Sequence, residues 1–252
     1  MPEPLVSTLV YRPVVPAEAD YGGAPPLAAE IERMTLHLTA DRLMVRLKGG
    51  PLPESEARAT VDEALRTWEI AIGLLHGPDH LTFRFEHAEH ETPAIPAAGS
   101  QPPLNETILL TQEITPPTVH DRFPDPPRRF RLSAETEMMY LRYRLYRAGR
   151  ESLTGVADWC LTVLEYSARG RAESADQYGI DPKVLRKLRE LCGQRGVIDQ
   201  RHPQPGTPQL KPAEREWIRA VVRRLILRAG EYAFDPVSRL PRIALTDFPP
   251  LP

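Results

Sequence analysis

Residues 181–193 read Asp-Pro-Lys-Val-Leu-Arg-Lys-Leu-Arg-Glu-Leu-Cys-Gly, the stretch with the clearest start and stop signals in the chain. Asp181 suits an N-cap, and Pro182 falls at the first helical position, where its missing N–H costs nothing. Val184, Leu185, Leu188 and Leu191 recur at helical spacing, so one stripe faces inward, and Gly193 is placed to stop the helix.

The patterns on either side extend this helix into a bundle. Upstream, Ser133 caps a helix with Glu135 and Glu137 in its first turn, where acids meet the helix dipole favourably, and Met138, Leu141 and Leu145 mark its inner face. After a break at Gly149 and Glu151-Ser152, Leu153, Val156, Ala157, Cys160, Leu161 and Leu164 trace a second amphipathic helix. Arg169-Gly170-Arg171 closes it, and residues 172–178 form a short helical turn. Downstream, a last helix opens at Pro212 with Trp217, Ile218, Val221, Leu225 and Ile226 inside and Arg215, Arg219, Arg223 and Arg228 outside. A Pro-punctuated tail from Phe234 wraps the surface, held by Ile243, Leu245 and Phe248.

The front of the chain has a different period. The 28 prolines of the whole chain cluster at 13–26, 93–103, 116–127, 203–212 and the end, and they mark connections because Pro lacks an N–H and restricts the residue before it. Residues 5–11 read as a strand, and 13–26 as an extended connection. Met34/Leu36/Leu38 and Leu43/Val45/Leu47 alternate around Ala40-Asp41-Arg42, predicting a hairpin with His37 and Arg46 on its wetter face. Val61, Leu65, Trp68, Ile72 and Leu75 give one apolar stripe on a helix over residues 54–76, and Leu81, Phe83 and Phe85 alternate in a returning strand. Residues 107–114 would add another strand. The expected fold is therefore α+β: a small N-terminal antiparallel sheet with one packed helix over residues 1–120, then a C-terminal helical bundle over 121–252.

At 252 residues the chain is long enough to bury a core without staples. Cys160 and Cys192 both sit in apolar helical patterns and read as reduced core residues. No apolar run approaches the roughly 20 residues that span a bilayer. The start, Met1-Pro-Glu-Pro, lacks the features of a signal peptide, so the expected location is cytoplasmic, away from membranes. The net charge of −2 conceals a division: residues 1–120 carry −9, and residues 121–230 carry +8. Such asymmetry points to different surroundings for the two halves, or to association of one with the other.

Three constellations could carry chemistry. The first is Arg195-Gly-Val-Ile-Asp-Gln-Arg-His202, which follows the third main helix. A helical bundle in which Arg precedes His at this spacing, beside the last helices, resembles the HEPN-like domains of bacterial defence and toxin systems. The likeness covers residues 133–232. It implies a metal-independent endoribonuclease in which Arg195 and His202 from each of two protomers meet in a homodimer cleft. Histidine can move protons near neutral pH, and arginine can offset charge growing on a phosphate. Gly196 stands where the family usually carries a polar residue, and Pro203 follows the His directly.

The second constellation is His76, His80, Glu86, His87, Glu89, His90 and Glu91, whose ligand types suit zinc. His87 and His90 lie three apart at a strand end and point to different sides, so these residues read as a solvated strand edge and no metal or other cofactor is expected. The third is Arg142, Tyr143, Arg144, Tyr146, Arg147 and Arg150, where rings could stack on bases while guanidinium groups hold phosphates, or could form a belt between helices. No phosphate loop, dinucleotide fingerprint or paired-cysteine motif occurs. The function expected from these residues is a binding or interaction module whose Arg-rich helical half contacts RNA, another nucleic acid or an acidic protein surface. The HEPN-like endoribonuclease is the alternative.

Overall fold

The computed structural model describes residues 3–90, 117–195 and 210–251. The fold is α+β, with an antiparallel sheet in the N-terminal part and a set of helices after it. Two compact units divide the chain: Met1–Glu69 with Asp79–Pro126, and Ile70–Pro78 with Pro127–Pro252.

In the first unit, β1 (Leu5–Val14), β3 (Leu27–Ile31), β4 (Met34–Leu38) and β5 (Leu43–Leu47) lie in the order β3-β4-β5-β1. β1 also pairs with β6 (Leu52–Pro53) and β7 (Thr82–His90), and every one of these pairings is antiparallel. The hairpin register sets Leu36 opposite Val45 and Leu38 opposite Leu43, and these four are buried. His37 and Arg46 are exposed, as alternation requires. β3 was not anticipated, and the predicted strand at 107–114 lies outside the described residues.

The helix α1 (Glu54–His76) buries Val61, Leu65 and Trp68. On the sheet, the Tyr11 hydroxyl donates to Asp62 of α1 at 2.6 Å, and Arg58 lies 4.0 Å over the Phe85 ring. Burial, followed by the nearby Asp62 carboxylate, pushes the Tyr11 phenol far above its usual range. From Ile70 on, the helix belongs to the second unit and buries Ile70, Ala71 and Leu74 in that unit's core. Ile72 of the expected stripe is buried too, so the buried face widens toward the end of the helix, while Leu75, expected inside, is 59% exposed.

A second, two-stranded parallel sheet joins β2 (Ala19–Asp20) to β8 (Thr118–Val119) in the first unit. Tyr21 follows β2 and is sandwiched between the rings of His120 at 4.7 Å and Phe123 at 4.9 Å, while its hydroxyl lies 2.8 Å from His80 Nε2. This aromatic clip holds three segments that are far apart in sequence.

The second unit contains α2 (Ala134–Arg147), α3 (Leu153–Ser167), α4 (Arg171–Gln177), α5 (Pro182–Arg195) and α6 (Pro212–Phe234). Ser133 Oγ accepts from Thr136 N at 3.2 Å, so the predicted serine cap is a true one, and Ser152 Oγ, read as part of a break, likewise caps α3 by accepting from Gly155 N at 3.0 Å. Cys160 and Leu161 of α3, Leu185 and Leu188 of α5, and Val221 and Leu225 of α6 share one core. Each fully buried leucine or isoleucine contributes about 1.5–3 kcal/mol relative to an exposed one.

Two helix faces differ from expectation. α2 buries Thr136, Met139, Tyr140 and Tyr143, whereas Met138 and Leu141 are 45% and 51% exposed. Room for Tyr140 comes from α1: the Tyr140 hydroxyl lies where a Cβ on residue 73 would stand, so only glycine admits the ring. On α6, Arg228 is 1% exposed rather than outward-facing. This helix packs against α2, α3 and α5, which leaves little of its circumference to solvent. Arg228 Nε meets Glu231 Oε2 at 3.1 Å, and burial lowers the guanidinium pKa.

The tail after α6 returns across the unit as a strap. Ile243 forms a parallel bridge with Ile180, donating from its N to Gly179 O and accepting from Asp181 N, each at 2.8 Å. Gly179, with φ 59°, makes the left-handed turn that presents this edge, and a side chain there would also meet Leu240 O. Ile243 and Phe248 are buried, the Phe248 ring meeting Trp217 edge-on at 5.8 Å. Leu245 is 38% exposed, so two of the three predicted anchors hold the strap. Among the described residues, no helix is long and apolar enough to cross a membrane.

Candidate functional site

The arginines and tyrosines of α2 are largely engaged within the unit. Arg142 pairs with Glu151 and lies 4.7 Å over the Trp159 ring. Tyr143 has no exposed surface, and its hydroxyl accepts from Arg147 Nη1 at 3.5 Å. Tyr146 accepts from Arg219 Nε and Nη2 at 3.3 and 3.2 Å. Arg144 is engaged as well, while Arg150 lies exposed just beyond the helix. The interleaved rings therefore belong mainly to packing between helices, and Tyr143 offers no face on which a base could stack.

α5 continues through Gly193 and ends at Arg195, whose side chain, like all of His202, lies outside the described residues. The histidine-rich stretch of the first unit is distributed rather than gathered. His80 meets Tyr21, while His87 and His90 lie across from Val10 and Val6 in the β1–β7 register. Among the described residues, no group of three or more His, Cys, Asp or Glu side chains could hold a metal ion. Glu91 is outside them. Burial pushes the Cys192 thiol up to about 12 and that of Cys160 higher still, so neither supplies a thiolate nucleophile near neutral pH.

Among its described residues, the helical unit carries a broad concavity and a smaller one. The broader, of about 800 Å³, lies over α3 and is lined by Glu135, Glu165, Tyr166 and Arg169 among others. Its Glu165 is already held by Arg189 at 2.5 Å and Arg171 at 3.1 Å. The smaller, of about 360 Å³, runs between α5 and the strap. Lys183, Arg186, Lys187 and Glu190 form one wall, Pro249, Pro250 and Leu251 the other, and Trp217 and Leu245 complete it.

No protein-family model, curated protein or solved structure matches the chain.

The α5 groove follows directly from the amphipathic pattern of residues 181–193. Burying Val184, Leu185, Leu188 and Leu191 turns positions 183, 186, 187 and 190 outward along the helix's other side. Lys187 Nζ is 3.0 Å from Glu190, forming an ordinary i,i+3 pair. Lys183 and Arg186 are exposed and have no ion-pair partner among the described residues. One wall thus carries three cations against one carboxylate, and the facing wall is apolar. The pattern of α5 contained half of this site. Its other wall comes from residues some sixty positions downstream, brought there by the bridge between Ile180 and Ile243.

Proposed function

We propose that the protein is a cytoplasmic, non-catalytic binding module whose helical unit engages an anionic partner through the exposed face of α5. The observation that carries this reading is the adjacency of Lys183 and Arg186, one turn apart, lining a groove and without an ion-pair partner among the described residues. Elsewhere in the same unit carboxylates or hydroxyls take up many guanidinium groups, as Glu151 does Arg142 and Tyr146 does Arg219. Cations left exposed in a groove cost little in water and gain when a partner brings the opposite charge.

The test is retention of the full chain on immobilised poly-glutamate and on immobilised single-stranded RNA over a salt gradient. Retention on either that weakens with salt, and falls in the Lys183→Glu/Arg186→Glu variant, is the expected result. Absence of retention on both at low salt overturns the reading. Cleavage of the RNA in the presence of a chelator, lost in His202→Ala, would instead establish the HEPN-like alternative.

A further inference from the structure

We infer that the α5 groove takes an extended acidic segment of another protein, one that carries an apolar side chain beside its carboxylates. This inference rests on the reading that α5 binds an anion, and it names the class of anion. Three features of the groove select it.

The first is the apolar wall. Pro249 and Pro250 have no N–H to donate, and with Leu251 they line this side of the groove. Leu251 packs partly into the core and Leu245 stays 38% exposed, which leaves an apolar surface facing the cations. A phosphate backbone gains nothing from such a wall, whereas a leucine or phenylalanine side chain does.

The second is the absence of an open ring. Trp217 borders the groove but is only 1% exposed, with the Phe248 ring set edge-on against it. Single-stranded nucleic acid draws much of its affinity from stacking on accessible aromatic faces, and this groove offers none among its described residues. The third is size and charge placement. A volume of about 360 Å³ holds one large side chain with its flanking backbone. Glu190 and Lys187 neutralise each other at one end, leaving Lys183 and Arg186 to receive carboxylates toward the start of α5. Arginine can grip a carboxylate with paired donors, and the lysine adds a movable point charge. The strap wall is stiffened by its prolines, so little ordering is needed on binding.

Fluorescence anisotropy with three labelled probes tests the inference on the full chain: a glutamate-rich peptide with a central Leu-Phe pair, an all-glutamate peptide of equal charge, and a single-stranded RNA of equal length. The mixed peptide is expected to bind roughly tenfold or more tightly than either other probe. Lys183→Glu/Arg186→Glu should abolish that binding, and Leu245→Ser/Leu251→Ser should reduce the mixed peptide to the level of the all-glutamate one. Thermal melts verify that the serine variant stays folded. Should it not, Leu245→Ser alone, at an exposed position, provides the same comparison.

RNA binding as tight as the mixed peptide, or equal binding of the two peptides, overturns the inference while leaving α5 as an anion site. Failure of all three probes to bind overturns both.

Discussion

α2 and α5 are two basic helices of the same length in one unit, and only α5 pairs some of its cations internally while leaving others exposed along a groove. On α2, Arg142 is closed against Glu151 and Trp159, and Arg147 reaches back to the hydroxyl of Tyr143. On α5, Lys183 and Arg186 are exposed, with no ion-pair partner among the described residues. Positive charge in a sequence is thus a poor measure of positive charge available to a partner. What decides the matter is whether the fold places an acid or a hydroxyl within reach. α6 shows the extreme, with Arg228 taken wholly inside.

If that contrast is right, removing a cation or its partner should cost stability in proportion to how far the cation is committed inward. The largest effect belongs to Glu231→Gln, which leaves the buried Arg228 without its carboxylate and should destabilise the helical unit by about 3 kcal/mol in urea unfolding. Adding Arg228→Met should restore most of the loss, because a hydrophobe of similar length needs no counter-charge. Arg142→Ala, a partly exposed pair stacked on an indole, should cost about 1–2 kcal/mol by the same measurement. Tyr146→Phe removes the acceptor of Arg219 and should cost about 0.5–1.5 kcal/mol. Lys183→Gln and Arg186→Gln should shift stability by no more than about 0.5 kcal/mol while weakening retention on poly-glutamate. A loss of stability from the α5 pair equal to that from Arg142 would erase the distinction.

How much of this could be read from the residues varies by region. The hairpin of β4 and β5, the Ser133 cap and the stripe Val184/Leu185/Leu188/Leu191 were legible because each rests on a local pattern. The inner face of α2 was not. Its Met138/Leu141/Leu145 stripe and its Thr136/Met139/Tyr140/Tyr143 stripe both have helical spacing, and the aliphatic stripe is the more apolar of the two. The structure decides for the tyrosines because Gly73, distant in sequence, leaves a space that fits a ring. β3 lacks a local signal for a similar reason: Leu27–Ile31 is short and alanine-rich, and its strand character comes from pairing with β4. The groove was half legible. Its cations lie on a helix that the sequence marks clearly, but its opposing wall depends on a long-range bridge that no local signal announces.

That bridge also determines how the strap would respond to force. Both of its main-chain hydrogen bonds belong to Ile243, one through N and one through O, and the two strands run in the same direction. A partner pulling lengthwise on residues 249–251 would therefore load the two bonds together in shear instead of breaking them in succession, with Phe248 the first side chain to be dragged from its seat on Trp217.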